Sequence, residues 1–376
     1  MTRQRDVFAV GRGQYENIGD IILRRPLLNW ARAAGRLHVY VGNAPEGYDE
    51  GLGLRHGDVV YRSFRQWYAA LLKSAWRGNA SSIYKPGEIQ LTVVGMKEHL
   101  AMLPAAALVR LRGGSVSRIG AGARNFSRLP RAIMWPSNAL SSYTRWRDDR
   151  TARYLGFGPP MPDLGFEEGM TDEALAAAVH DTHRDVLVVS MRNDVEVAPR
   201  PYPPQEWFTG IATFAEREDL TVWVVTQVSV DNDRSRQLAR DLGAELLEWP
   251  ELSDHAAQEQ RLRALYRHTR VVVSDRLHVI IAAFTEGAAP AGLQLDDDDK
   301  VSRHFATIGI DGVAINTSAM AAEDLAGALE EIAAGRAENL RHLVVARERL
   351  DAVREELAEL LADAPHADAA EMVAVG

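Results

Sequence analysis

The chain has 376 residues, 46% of them hydrophobic and 25% charged, with a net charge of −9 at pH 7 and no cysteine. That composition describes a globular protein long enough for two domains, and it excludes disulfides, thiolate catalysis and general nucleic-acid binding. The charge is uneven: between Arg110 and Arg153 ten arginines meet only two acids, Asp148 and Asp149, which marks a solvated face or a surface for an anionic or membrane-borne ligand. The opening residues lack the apolar core of a signal peptide, and no uncharged run is long enough to span a bilayer. A cytoplasmic protein is expected, in at most peripheral contact with a membrane.

Residues 6–10 read as a strand and 11–20 as a loop. Ile21, Leu23, Leu27, Leu28 and Trp30 are the buried stripe of a helix that Gly35 ends before a strand at 37–41. This βαβ start carries Gly11, Gly13 and Gly19, a spacing that is not the dinucleotide fingerprint. Alternation continues through strands at 58–61, 89–95 and 116–120, helices at 67–76 and 98–111, and a short strand at 133–135, with Ser137 opening a helix toward Arg153. Such repetition calls for a parallel sheet covered on both faces. Gly156-Phe-Gly-Pro-Pro-Met-Pro-Asp163 is the strongest break and leads into a linker.

A second series follows, with strands at 185–190, 220–226 and 245–249 and helices at 204–218, 231–242 and 256–268. It culminates in residues 270–287. There a β-branched run breaks at Ser274 and Asp275, both good helix N-caps, and an apolar helix follows to Gly287. Asp275, Arg276 and His278 are thereby expected in the first helical turn at the carboxyl end of a strand, where open α/β sheets bind ligands and the helix dipole favours an anion. Arg192 and Gln227, at two other strand ends, are expected to converge there. The domain plan is an N-terminal Rossmann-like domain at 1–165, a linker at 166–184 and a C-terminal Rossmann-like domain with the donor site at 185–320. Alanine-rich helices at 321–376 then cover the sheet or pack back on the first domain.

Asn17-Ile-Gly-Asp20 after the first strand and Ser274-Asp-Arg-Leu-His278 late in the second domain resemble the polysaccharide pyruvyl transferase family. Arg147-Asp-Asp-Arg-Thr151, Pro162-Asp-Leu-Gly-Phe166, Ser190-Met-Arg192, and Lys300 followed by Arg303 and Phe305 match in the same order, so the resemblance runs to about residue 315. Three features depart from it. Gly287-Ala-Ala-Pro290 is one residue longer than the family's Gly-x-Pro, the acidic run from Asp296 to Asp299 replaces a segment that usually holds an Asn, and Gln227 stands where a His is frequent.

The resemblance implies an α/β fold of two Rossmann-like doubly wound domains facing a cleft, GT-B-like in arrangement. It implies transfer of the carboxyethylidene group of phosphoenolpyruvate to two hydroxyls of one sugar in a cell-surface polysaccharide or glycolipid precursor, with release of phosphate. His278 would be the acid/base group. Arg276, Arg192, Lys300 and Arg303 would hold the anionic donor, and Asn17 and Asp20 would face them from the first domain. Such chemistry needs an acid/base group and cations, with no metal and no cofactor besides the donor. Plainer roles stand beside these: Asp20 as a helix cap, Arg192 in a domain-edge salt bridge, Lys300 in solvent. The alternative activity is a GT-B-type glycosyltransferase using a nucleotide-sugar, which needs a carboxylate and a base-stacking pocket at strand ends of the second domain. A non-catalytic accessory protein of polysaccharide assembly is the third reading.

Overall fold

The computed structural model describes residues 4–181, 183–193, 200–251 and 254–362. The first domain runs β1 (Asp6–Val10), α1 (Ile18–Ala34), β2 (Arg36–Tyr40), α2 (Tyr48–Gly51), β3 (Val59–Tyr61), α3 (Phe64–Trp76), β4 (Ala80–Tyr84), β5 (Gly87–Gln90), α4 (Met96–Leu111), β6 (Val116–Arg124), α5 (Arg128–Ala139), β7 (Tyr143–Trp146) and α6 (Asp149–Leu155). Its strands form one parallel sheet in the order β3-β2-β1-β4-β6-β5, with β7 also pairing with β6. A single 3₁₀ turn (Leu164–Glu167) and α7 (Asp172–Val179) connect it to the second domain.

The second domain runs β8 (Val186–Ser190), α8 (Gln205–Arg217), β9 (Thr221–Val225), α9 (Asn232–Leu242), β10 (Glu245–Leu247), α10 (His255–Tyr266), β11 (Thr269–Ser274), α11 (Leu277–Phe284), β12 (Ala289–Gln294), α12 (Lys300–Ala306), β13 (Ala314–Asn316), α13 (Ala322–Ala334) and α14 (Arg336–Ala362). Its parallel sheet has the order β10-β9-β8-β11-β12-β13. Helices cover both faces of the central strands, which is why every residue of β8 and β12 is buried and why they do not alternate in polarity.

Two local expectations give way, and two strands stand where no local signal marks them. β7 interrupts the helix expected from Ser137 toward Arg153. Residues 133–135 belong to α5, where Pro130, Met134, Ser137 and Asn138 are buried at helical spacing. The central strand β4 carries no apolar strand pattern because its middle is Ser81-Ser82. These serines are buried, and the Ser81 hydroxyl accepts from Arg5 (3.3 Å) and from the Ser115 amide (3.3 Å). Pro290 hid β12, since proline normally argues against an interior strand, yet it pairs with Val272.

The closing helices divide their work. α13 packs on α8 and the second sheet, while α14 lies against α1, α7 and the 3₁₀ turn of the first-domain side. Arg347 of α14 fixes that contact by donating to the carbonyls of Phe166 (2.8 Å) and Glu168 (2.5 Å). One apolar cluster therefore runs from Ile21 and Ile22 of α1 through Phe166 to Ile281 and Phe284 of α11 and Leu343 of α14. The domains meet in a continuous core.

Candidate active site at the domain junction

The loop after β1 reaches the second domain before α1 begins. Asn17 forms an antiparallel bridge with Val228, the Ile18 amide donates to the Gln227 carbonyl (3.3 Å), and the Ser229 amide donates to the Glu16 carbonyl (2.9 Å). The Asn17 side chain then caps α1, its Oδ1 accepting the Gly19 amide at 2.9 Å. Gly19 has no room for a side chain: a Cβ there would lie 2.7 Å from the Cβ of His278. The start of α1 and the start of α11, one from each domain, are thus in direct contact, and the glycine is what lets them close.

His278 faces a buried carboxylate. Its Nε2 lies 3.7 Å from Oδ1 of Asp163, without a hydrogen-bond partner. Asp163 is fully buried; its Oδ1 accepts the Gly165 amide (2.9 Å), while Arg147 (3.5 Å) and Nε2 of His304 (3.9 Å) approach Oδ2. Burial alone would raise its pKa, but His278, Arg147 and His304 hold the carboxyl well below the usual range. His304 sits with Nδ1 2.6 Å from the Lys300 carbonyl, so that nitrogen is the donor and Nε2 is left unpartnered. Burial pushes the His304 pKa down. Two imidazoles and a guanidinium thus surround one ionised carboxylate, with unsatisfied nitrogens on both rings.

Asp20 is the second acid at the junction. It does not cap α1; its Oδ2 accepts the Gln14 amide (2.6 Å) and its Oδ1 pairs with Arg24 (3.2 Å). Against the effect of burial, Arg24, the Gln14 amide and His278 lower its pKa. Asn17 is occupied as a cap, its amide near Gln14 (3.4 Å).

The expected anion holders are all present near the cleft, and each already meets a carboxylate. Arg192 contacts Asp275 (3.2 Å) and Asp298 (3.2 Å), Lys300 reaches across the domains to Glu88 (3.2 Å), and Arg303 pairs with Asp148 (3.1 Å) and Asp299 (2.8 Å). Arg276 pairs with Asp231 rather than with its neighbour Asp275. Burial lowers the Lys300 pKa while Glu88 opposes that fall; in return Lys300, Arg147 and Arg124 bring the Glu88 carboxyl, which burial would raise, down to about 2.

The helix start differs from expectation too. Arg276 occupies the N-cap of α11 without a side-chain cap; Ser274 accepts the Arg276 amide (2.9 Å) and donates to the Ser190 carbonyl (2.5 Å), while Asp275 accepts the Arg192 amide (2.8 Å). Ser274 and Asp275 therefore tie β11 to β8 instead of capping. Gln227 does not converge on the site, since its side chain is buried beside the Tyr266 hydroxyl (3.5 Å). Three of the four acids of the run meet arginines: Asp296 meets Arg200, Asp298 meets Arg192 and Arg200, and Asp299 meets Arg150 of the first domain (2.6 Å) and Arg303. Among the described residues no group of three His, Asp or Glu is placed to hold a metal ion.

Two cavities flank the junction. One of about 640 Å³ opens above the first sheet, lined by Arg12, Gln14, Asp20, Arg24, Tyr40, Lys85, Glu88 and Lys97 among others. The other, of about 790 Å³, lies between the loops after β2 and β10 and is lined by Tyr15, Glu16, Glu46, Asn232, Trp249, Glu251 and Asp254 among others. Asp163, Arg147 and His304 join the site without being singled out by the sequence, although the first two sit inside the motifs Pro162-Asp-Leu-Gly-Phe166 and Arg147-Asp-Asp-Arg-Thr151. For Glu88 and Asp231 the sequence carries no signal.

The chain matches no protein-family model and no curated protein. Solved structures do match over its whole length. UDP-GlcNAc 2-epimerase from Neisseria meningitidis, bound to UDP-GlcNAc, superposes with a TM-score of 0.57 at 10% identity, over 95% of this chain and 99% of that one. The fold is GT-B. Anabaena Alr3699/HepE in complex with UDP and glucose gives 0.54 at 13% identity, over 95% and 99%. S. aureus MnaA with UDP gives 0.53 at 10% identity, over 96% and 99%. At these identities the likeness establishes the arrangement of the two domains and nothing about chemistry.

Proposed function

We propose that the chain is a transferase acting on a sugar held in the interdomain cleft, and that its donor is phosphoenolpyruvate. The observation that carries this reading is the meeting of Asn17-Ile-Gly-Asp20 with His278 across the junction, over the buried carboxylate of Asp163. The two motifs are separated by most of the chain, and their contact supports the family resemblance that named them. In this reading His278 protonates the methylene carbon of the donor, using the enol electron pair, and leaves an oxocarbenium-like carbon. One sugar hydroxyl adds to that carbon and gives its proton back to His278. The bond to phosphate then breaks and the second hydroxyl closes the ketal, its proton leaving with the phosphate, so that the methylene has become a methyl group. Arg192 and Lys300 would receive the donor's anionic groups in exchange for Asp298 and Glu88, which now occupy them. Because Lys300 and Glu88 bridge the two domains, donor binding would also alter their contact.

A second reading, transfer of a sugar from a nucleotide-sugar, has one observation in its favour. The cavity at the end of β10 presents Trp249, Asn232, Glu251 and Asp254, an indole and carboxylates at second-domain strand ends of the kind that a base and a ribose require. The superposing structures with bound UDP or UDP-GlcNAc add a fold-level analogy. Thermal unfolding separates the two. A ligand at a hundred times its Kd adds about 2.7 kcal/mol of stability, so phosphoenolpyruvate should raise the melting temperature and UDP should not. Stabilisation by UDP or UDP-GlcNAc alone replaces the donor, and stabilisation by none, with no phosphate release in the presence of sugars, favours the accessory protein.

A further inference from the structure

The solvent face of α5 is acid-free and largely apolar, a pattern shared in part by α3, whose exposed positions hold Phe64, Arg65, Gln66, Ala69, Lys73 and Trp76. The exposed positions of α5 hold Arg128, Leu129, Arg131, Ala132, Trp135, Pro136 and Ala139, so the face is apolar apart from two arginines and carries no acid. On α8, by comparison, the exposed positions hold Gln205, Glu206, Thr209, Ala212, Glu216 and Arg217, an ordinary solvated face. Leu129 and Trp135 keep 62% and 59% of their surface in water, and the exposed Phe157 (47%) stands edge-on to Trp135 at 6.2 Å. Phe157 has φ +68°, a left-handed conformation that a bulky residue rarely adopts, and it holds the ring outward beside the indole. Arg128 and Arg131 form no ion pair with a carboxylate among the described residues, and Arg131 lies over the Tyr154 ring at 4.9 Å. In a chain of net charge −9 this is local positive charge without an acid beside it, next to an aromatic patch.

We propose that α5 and the Phe157 turn form a docking face for an anionic lipid bilayer. Arginines bracketing a Trp-Leu-Phe surface suit that partner: the rings and Leu129 enter the headgroup boundary while the guanidinium groups meet lipid phosphates. The net negative charge elsewhere repels the same bilayer, so the molecule is oriented by this face. Its position gives the docking a use. α5 follows closely on β6, and Arg124 at the end of that strand, with Asn125 and Phe126 of the connection, lines a cavity at the edge of the cleft with Arg150 and Asp299. Docking brings that edge to the lipid surface, where a sugar carried on a lipid is presented. The face does not depend on which donor the cleft takes.

The test is co-sedimentation with vesicles of phosphatidylcholine and of phosphatidylcholine mixed with phosphatidylglycerol. The wild type should pellet with the anionic vesicles, pellet little with the neutral ones, and lose binding as salt is raised. An arginine near an anionic surface is worth about fivefold in partition, so Arg128→Glu/Arg131→Glu should weaken binding by more than about twentyfold. Leu129→Ser/Trp135→Ser should abolish it, and Arg217→Glu on the second domain should leave it unchanged. Hydrogen exchange on the wild type, which needs no variant, should show the α5 peptide protected by anionic vesicles. Failure to bind those vesicles overturns the proposal. So does binding that the α5 variants leave intact, or a dimer that Trp135→Ser dissociates with no lipid binding at all.

Discussion

The centre of the cleft and its outer rim are built by different means. At the centre, where Gly19 meets His278 above Asp163, the geometry is set by backbone contact and by one buried carboxylate. At the rim, from Asp296 to Arg303, it is set by long, partly exposed side chains of opposite charge, several of which share a partner. Single-atom changes should therefore cost stability at the centre and little stability at the rim, although the rim holds more of the charges, Lys300 among them, that the donor would meet.

The strongest way to break that contrast is at His278. Removing a general acid costs about 10²–10⁴ in rate, so His278→Gln should lose kcat by that factor with donor binding, read by calorimetry, largely kept. Next is Asp163→Ala, which strips the shared partner from Arg147 and two imidazoles. Breaking a buried ionic contact by removing one side costs about 3–5 kcal/mol, and urea unfolding should show it. Gly19→Ala comes third. Its methyl group would have to push α1 from α11, and overpacking of this kind costs about 1–3 kcal/mol; stability and kcat should fall together.

Acid sharpens the comparison further. Burial holds the imidazoles of His99 and His304 below the usual histidine range, with Arg118 and Arg147 respectively adding to the effect. The unfolded chain therefore binds those protons near pH 6.5 while the folded chain does not, and stability should begin to fall as pH drops below about 6.5. Asp163 and Glu88, held low in the folded chain, contribute stability that is present above about pH 4 and lost as pH falls through their folded values. His99→Gln/His304→Gln should remove the upper part of the decline in melting temperature and leave the lower part. The smallest effect belongs to the rim: Asp299→Asn weakens the partly exposed pairs with Arg150 and Arg303, for which about 0–1 kcal/mol each is expected.

The same division explains what could be read from the chain. The βα alternation, the two sheets and the site at the end of β11 follow from β-branched runs, glycines and helical periods, all local signals. β4 and β12 were hidden because Ser81, Ser82 and Pro290 deny the local pattern, and only pairing with neighbours makes strands of them. In the site, Asn17, Asp20 and His278 were legible because each opens a helix after a strand. Their supporting shell was less so. Arg276 finds Asp231 and Lys300 finds Glu88 across 45 and 212 residues of chain, and no local pattern records such a choice of partner. The order of motifs carried Asp163 and Arg147 into view, but their burial against His278 emerges only when the two domains are in place.

The central claim, that His278 delivers a proton to the donor's methylene carbon at the junction, is tested most directly by turnover in deuterated water with phosphoenolpyruvate and a sugar acceptor, followed by NMR of the product. The account expects one solvent deuterium in the ketal methyl group, phosphate released in equal amount, and no labelled product from His278→Gln. Transfer of a sugar with release of UDP and no ketal methyl signal, or full labelling by the His278→Gln enzyme, would contradict it.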